Sequence, residues 1–399
     1  MERYGLVLAG GGGKGAYQIG AWQALREMGI SFNAIAGVSI GSINGALIAA
    51  GDYEKAVEMW NNVSVDKGVK INEELPDPEN LFSKKNWGIL FKEFLKNGGI
   101  DASPMNDFMA PYIDEKKVRD SMIDFGIIAV QLTQGVNSRE IFIHEIPEGQ
   151  LVDYLLASSN IPFVQNIGPE GEKYLDGGAY DNIPVRTLKK RGYNKLIVVD
   201  ISNIKGVAHT LDILNSQITY IRPYDLEDLG AAFDFDSATI EKRIQLGYLD
   251  TKKAFSLLSG NIFYFMPTVF RSMVIKYGAD TILQLEELAH TLKVPKAEIY
   301  TAESFILTVK TAYTEALEAE KQKELERLEK EQQKATQKTK GRGRLSEILN
   351  HQEKEKTEQT AEEKESESFI RSALKKRFGP KNPFEDFPDA VALLDNYIL

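Results

Sequence analysis

The sequence predicts an α/β fold. From Met1 to about Tyr220, apolar runs of strand length alternate with helical patterns. The first two such runs each end in a glycine-containing turn that opens directly into a helical segment. A hydrophobic fraction of 43% supplies enough apolar surface for a substantial core.

Tyr4 to Ala9 reads as a buried first strand. Gly10-Gly11-Gly12-Gly13-Lys14-Gly15 follows, and Ala16 to Met28 reads as a helix with Ile19, Trp22 and Leu25 on one face. Three readings of this loop compete. Gly10, Gly12 and Gly15 match a dinucleotide fingerprint, but that reading wants an acid at the end of the second strand, and none lies between Glu27 and Asp52. A Walker A loop fails because Leu8 stands where its first glycine should be and Gly15 where Ser or Thr should be. An oxyanion hole fits best, since consecutive glycines bring N–H donors close to a reacting carbonyl oxygen.

Ala34-Ile35-Ala36 forms the second strand, and Gly37-Val38-Ser39-Ile40-Gly41 comes next, ahead of the small-residue run Ile43 to Ala50. Strand, sharp turn and helix around G-x-S-x-G make a nucleophile elbow. The plain alternative is a serine capping the helix that follows it. Further along, Lys173-Tyr174-Leu175-Asp176-Gly177-Gly178 ends a short strand with an acid and two glycines. That is either an Asp-Gly turn or the position of a general base, Asp176, for Ser39. The four histidines are His144, His209, His290 and His351, and none has a local catalytic signature. His209 is the one rival base, because it follows Ser39 and Asp176 in the chain order of α/β-hydrolases.

These residues resemble the patatin-like phospholipases. The glycine loop Gly10–Gly15, the elbow Gly37–Gly41 and the turn Asp176-Gly177-Gly178 carry the likeness over about Met1 to Phe255. Gly99 to Met105, Ala157 to Phe163 and Asp181 to Val185 extend it. The resemblance implies a three-layer α/β/α fold with a mainly parallel sheet and a Ser–Asp dyad without histidine. It implies hydrolysis of fatty-acyl esters, with Ser39 as nucleophile, Asp176 as base and the backbone of Gly11, Gly12, Gly13 and Lys14 as oxyanion hole. No cofactor or metal is called for. The alternatives are a Ser-Asp-His esterase or acyltransferase using His209, and a phosphate- or nucleotide-binding protein without hydrolysis.

Strands are expected at Gly126–Thr133, Glu140–His144, Lys173–Asp176 and Lys195–Asp200. Lys67 to Gly98 is a long connection, read as a lid, a lipid-facing excursion or a surface insertion. A helix over Asp236–Leu258 closes the catalytic domain at residues 1–258. Residues 259–317 read as a helical extension, with helices at Ala279–Leu292 and Lys296–Leu317. Its aromatics at Phe263, Tyr264, Phe265 and Phe270 suit packing on the catalytic core or contact with a membrane. Residues 318–368 are Lys/Glu/Gln-rich and read as a short solvated helix passing into disorder, broken by Gly341-Arg342-Gly343-Arg344. Residues 369–399 hold the basic amphipathic Phe369–Phe378 segment and an apolar tail.

A net charge of −10 argues against nucleic-acid binding and gives no global attraction to anionic membranes. Contact with a lipid substrate at a membrane or micelle surface therefore rests on local patches. With no cysteine, disulfides and thiol catalysis are excluded. Met1-Glu2-Arg3 leads straight into the first strand without a secretory signal, which points to the cytoplasm, and no stretch reads as a membrane span.

Overall fold

A computed structural model describes residues 4–68, 70, 84–86, 89, 92, 100–132, 137–160, 168–169, 172–202, 216–346, 384 and 386–397. The chain divides into two compact units, Met1–Gly260 with Lys296–Glu298, and Asn261–Pro295 with Ile299–Leu399.

The first unit is built on a seven-stranded sheet. Its strands are β1 (Tyr4–Leu8), β2 (Phe32–Val38), β3 (Asp124–Gln131), β4 (Asn137–Phe142), β5 (Tyr174–Asp176), β6 (Lys195–Val199) and β7 (Gln217–Ile221). They lie in the order β4-β3-β2-β1-β6-β7, with β5 also on β3. The pairs β1–β2, β1–β6, β2–β3 and β6–β7 are parallel, and β4 and β5 run antiparallel to β3. Parallel strands covered on both faces read as continuous apolar runs, and β1 and β6 are buried at four of their five positions. The second strand is longer than its Ala34–Ala36 nucleus, and His144 lies past β4 in a 3₁₀ turn, Ile143–Glu145.

The helices of this unit are α1 (Ala16–Glu27), α2 (Ile40–Ala50), α3 (Tyr53–Asn62), α4 (Val65–Gly68), α5 (Ser103–Met109), α6 (Glu115–Asp120), α7 (Leu151–Ser158), α8 (Val185–Lys190) and α9 (Ser237–Ala254). A methyl group at Gly45 of α2 would touch Phe125, Ile35 and Leu8, whereas one at Gly5 of β1 would meet Leu188 of α8. Positions 5 and 8 of one strand point to opposite faces. Helices therefore cover the sheet on both sides, giving three α/β/α layers.

The second unit contains α10 (Pro267–Tyr277), α11 (Ala279–Thr291), α12 (Ala302–Ser346), α13 (Pro388–Asn396) and the two-residue parallel pair β8 (Tyr264–Phe265) and β9 (Ile299–Tyr300). Phe263, Phe265, Tyr300 and Phe305 pack ring against ring in its own core. The aromatic segment thus builds this unit from within. Glu286 is fully buried and accepts the backbone N–H groups of Asn261, Ile262 and Phe263 at 2.9–3.0 Å, which holds the start of that segment. The helix expected at Lys296 begins at Ala302, because Ile299 and Tyr300 pair with β8. It is also one 45-residue helix rather than a short one, and it runs through the basic Gly341–Arg344 stretch. Good helix formers and i,i+4 pairs such as Arg327–Glu331 at 3.2 Å suit it. Most of Lys67–Gly98, together with His209, His351 and the Phe369–Phe378 segment, lies outside the described residues.

Among the described residues, no helix is long and apolar enough to cross a membrane.

Candidate active site

Ser39 stands between β2 and α2 with φ 53° and ψ −129°. A non-glycine residue at positive φ costs on the order of 1–3 kcal/mol unless its surroundings impose it. Here they do. A side chain at Gly37 would run into the Gly41 carbonyl at 2.3 Å, and one at Gly41 into the Leu8 carbonyl at 2.4 Å. The turn is therefore closed tightly by glycines on both sides of the serine. Its backbone N–H donates to Ser158 Oγ at 2.9 Å, and Ser158 Oγ donates to the Ile128 carbonyl at 2.6 Å. The Ser39 carbonyl accepts from the Ser42 N–H at 2.8 Å and the Ser42 hydroxyl at 2.6 Å. Ser39 occupies the N-cap position of α2, but its side chain makes no capping bond. The plain capping role is thus not the one its hydroxyl plays.

Strand register brings the acid to the serine. Along one edge of β3, Val38 of β2 is paired with Ile128, and the next residue, Ala129, is paired with Asp176 of β5. β5 takes up that edge where β2 leaves it, so the two strand ends meet head to head at Ser39 and Asp176. The Ser39 side chain is close enough to the Asp176 carboxyl to favour its ionised form. Asp176 also accepts the Gly178 N–H at 2.7 Å, and its own N–H donates to the Asn160 carbonyl at 2.8 Å. Burial pushes the Asp176 carboxyl above the ordinary carboxylate range, partly offset by the Ser39 side chain and the Gly178 N–H. Gly177 is required where it stands, since a Cβ there would lie 2.1 Å from the Ile128 carbonyl.

The glycine loop lies against the same spot. A Cβ at Gly10 would approach Ser39 Cβ at 3.2 Å and Asn182 Oδ1 at 2.6 Å. Asn182 Nδ2 donates to the Gly10 carbonyl at 3.3 Å. Gly12 has φ +58°, with the Ala232 carbonyl 2.6 Å from where its Cβ would be. Gly12–Gly15 form a 3₁₀ turn into α1. A Cβ at Gly15 would strike Ile40 and Trp60. Two of the four N–H groups expected to bind an oxyanion are engaged elsewhere. Gly13 donates to the Ala232 carbonyl at 2.6 Å, and Lys14 to the Gly11 carbonyl at 3.3 Å.

Several supporting residues carry no sequence signal. Gln18 donates to the Ala9 carbonyl at 2.7 Å, Asn44 donates to Gln18 and to the Gly15 carbonyl, and Trp60 donates to Asn44 at 3.0 Å. Arg243 is fully buried and holds the carbonyls of Leu229, Ala231 and Asp234 at 2.6–2.7 Å. It thereby shapes the segment whose Ala232 carbonyl receives Gly13. Each of these residues lies in or near a segment the sequence marks as an element, but its bonds are to residues 9 to 29 positions away, which no local pattern specifies.

A cavity of about 320 Å³ opens at Ser39, Asp176 and Gly10–Gly12. Its walls are mostly apolar, with Ile43, Trp60, Met105, Phe108, Leu156 and Phe233 among them. His144 is exposed on the 3₁₀ turn, and His290 ends α11 in the second unit. Neither lines this cavity. With a strained serine, a half-buried carboxylate beside it and glycine N–H groups at one apolar pocket, the arrangement can do acyl transfer.

Residues 6–189 match the family model described as patatin-like phospholipase. The chain is 30% identical over 208 residues to lysophospholipase NTE1 of Candida glabrata, covering 51% of this chain and 11% of that protein. It is 26% identical over 203 residues to lysophospholipase NTE1 of Saccharomyces cerevisiae, covering 51% and 11%. The chain thus spans about a tenth of the length of these relatives. Among solved structures, VipD from Legionella pneumophila aligns over 82% of this chain and 76% of its own, at 15% identity and a TM-score of 0.38.

Proposed function

From the patatin-like phospholipase domain that residues 6–189 make up, we propose that this chain is a serine lipid acyl hydrolase working through a Ser39–Asp176 dyad. One observation carries the proposal: the side chain of a conformationally strained elbow serine stands beside a half-buried carboxyl, close enough to favour its ionised form, at an apolar cavity. Asp176 takes the proton from Ser39 Oγ as the oxygen attacks the ester carbonyl. Burial makes this carboxylate a stronger base than a solvated one. Gly11 and Gly12 supply the oxyanion donors, a narrower set than Gly11–Lys14, because the Gly13 and Lys14 N–H groups are already bonded. Each such donor is typically worth about 2.7–4 kcal/mol of barrier. The positive end of α2 lies behind Ser39 and favours the same charge. The alcohol leaves with a proton, an acyl-enzyme remains, and water attacks it with Asp176 again as base. The apolar cavity holds the fatty-acyl chain, so the substrate is a lipid ester drawn from a membrane or micelle surface.

Mixed liposomes containing phospholipid, lysophospholipid and triacylglycerol test the reading. Wild type releases fatty acid, and Ser39→Ala and Asp176→Ala each lose about 10⁴-fold or more. Full turnover in Ser39→Ala rejects the reading. Loss in His209→Ala with retention in Asp176→Ala would transfer the base to His209.

A further inference from the structure

Five of the six residues of the Gly10–Gly15 loop are glycines, so the loop has little side chain of its own with which to hold a shape. Its backbone groups show what holds it instead. At one end the Ala9 carbonyl accepts Gln18 Nε2 at 2.7 Å, and at the other the Gly15 carbonyl accepts Asn44 Nδ2 at 3.0 Å. Asn44 Nδ2 also donates to Gln18 Oε1 at 2.8 Å, so one amide governs both ends. The orientation of that amide is set from a third side, where Trp60 Nε1 donates to Asn44 Oδ1 at 3.0 Å. An indole N–H can only donate, so it must face the oxygen of Asn44, and the NH2 group must then face the loop. By the same logic Gln18 turns its oxygen to Asn44 and its NH2 group to Ala9. Gln18, Asn44 and Trp60 are all buried, where a lost partner is costly.

Trp60 also belongs to the wall of the apolar cavity, together with Ile40, Gly11 and Gly12. A Cβ at Gly15 would lie 2.5 Å from Ile40 Cγ1, 2.9 Å from Trp60 Cζ2 and 3.1 Å from Asn44 Nδ2, so the indole packs directly on the end of the loop. Resting on the acyl-hydrolase reading, we propose that Asn44 is a positioning residue that holds the Gly11 and Gly12 N–H groups where the oxyanion forms, and that the Trp60 N–H orients it. Asn44 acts on the backbone of the loop rather than on the substrate. Trp60 has two separable parts, a ring that walls the cavity and an N–H that aligns the loop.

The test separates affinity for the transition state from affinity for the ground state. It uses the 399-residue chain, a p-nitrophenyl ester of dodecanoic acid and two ketones bearing a long alkyl chain. The trifluoromethyl ketone takes Ser39 Oγ onto its carbonyl carbon, the hydroxyl proton passes to Asp176, and the ketone oxygen becomes an oxyanion at the loop. The methyl ketone fills the same cavity without forming that adduct. Asn44→Ala is expected to lower kcat/KM by about 10- to 100-fold and to raise Ki of the trifluoromethyl ketone by the same factor, with Ki of the methyl ketone unchanged. Trp60→Phe keeps the ring in the wall and removes the N–H. It should move the same two values in the same direction by about 10-fold, and it carries the test if Asn44→Ala does not fold. In the double variant the loss should match that of Asn44→Ala alone, because Trp60 acts through Asn44. Wild-type values in both single variants overturn the proposal. So do equal losses of affinity for the two ketones, which mark a general defect of the cavity, and losses that multiply in the double variant. A wild-type chain that neither cleaves the ester nor takes up the trifluoromethyl ketone at Ser39 would instead overturn the acyl-hydrolase reading, and this proposal with it.

Discussion

At the scale of single residues, the proposed chemistry turns on one carboxylate. Burial raises the Asp176 carboxyl above its unfolded value, so the native state holds that proton more tightly than the unfolded chain does. The stability this contributes is present below the ordinary carboxylate pKa of about 3.9 and is lost as pH rises through the native value. Asp176→Asn is therefore expected to raise the melting temperature at neutral pH, with the advantage closing in acid. Because the proposed base acts ionised, kcat/KM of wild type should climb with pH along a limb whose midpoint lies above about 3.9. A limb at or below the ordinary range, or a less stable Asp176→Asn at neutral pH, would contradict the buried-base assignment. Ser158 is a positioning residue for the elbow. Ser158→Ala leaves the Ser39 N–H and the Ile128 carbonyl without that partner, at a cost of about 1–3 kcal/mol of stability. Misplacement of Ser39 should lower kcat by about 10- to 100-fold with KM little changed, and Ser158→Thr should recover part of it. A parallel loss in KM would argue for a wider structural defect. The tight turns at Ser39 and Asp176 were legible because the glycines that close them are sequence neighbours. Ser158 was not assigned its role, because its bond to Ser39 spans 119 residues.

At the scale of elements, the site is a consequence of register. Had β5 paired one residue further along β3, Asp176 would have faced the other side of the sheet. The motif segments reveal that strands end at Ser39 and Asp176, but not that both ends share one edge of β3. That fact depends on an antiparallel pair placed among parallel ones. A similar non-local constraint fixes α1 against α9. A Cβ at Gly20 would lie 1.7 Å from the Ile244 carbonyl, and one at Gly247 would lie 1.9 Å from the Tyr17 carbonyl. Tyr17 also donates to Asp250 at 2.8 Å across this contact. Because the obstacles are backbone atoms, the helices must separate to admit a methyl group. Gly247→Ala should destabilise by about 3 kcal/mol or more, against a usual overpacking cost of about 1–3 kcal/mol. Denaturant titration of the two glycine variants measures this, and wild-type midpoints would mean that the helices are packed less closely. Helix ends were the least legible feature. The helix at Ala302 starts late because a two-residue strand pair claims Ile299 and Tyr300, a pairing no local pattern encodes.

For the whole molecule, the sheet-based unit and the aromatic-cored unit each have their own buried cluster. The dyad, the apolar cavity and the glycine loop belong to the first. The inward role of Phe263 and Phe265 was not readable in the sequence, because exposed aromatics and core aromatics have the same composition. The central claim is that Ser39 is an activated nucleophile in the intact chain. It is tested most directly by treating the 399-residue chain with a fluorophosphonate and mapping the adduct by mass spectrometry. The account predicts a single adduct on Ser39, absent in Ser39→Ala and formed far more slowly in Asp176→Asn. An unlabelled Ser39 under conditions that label a known serine esterase, or equal labelling with and without the Asp176 carboxylate, would contradict it.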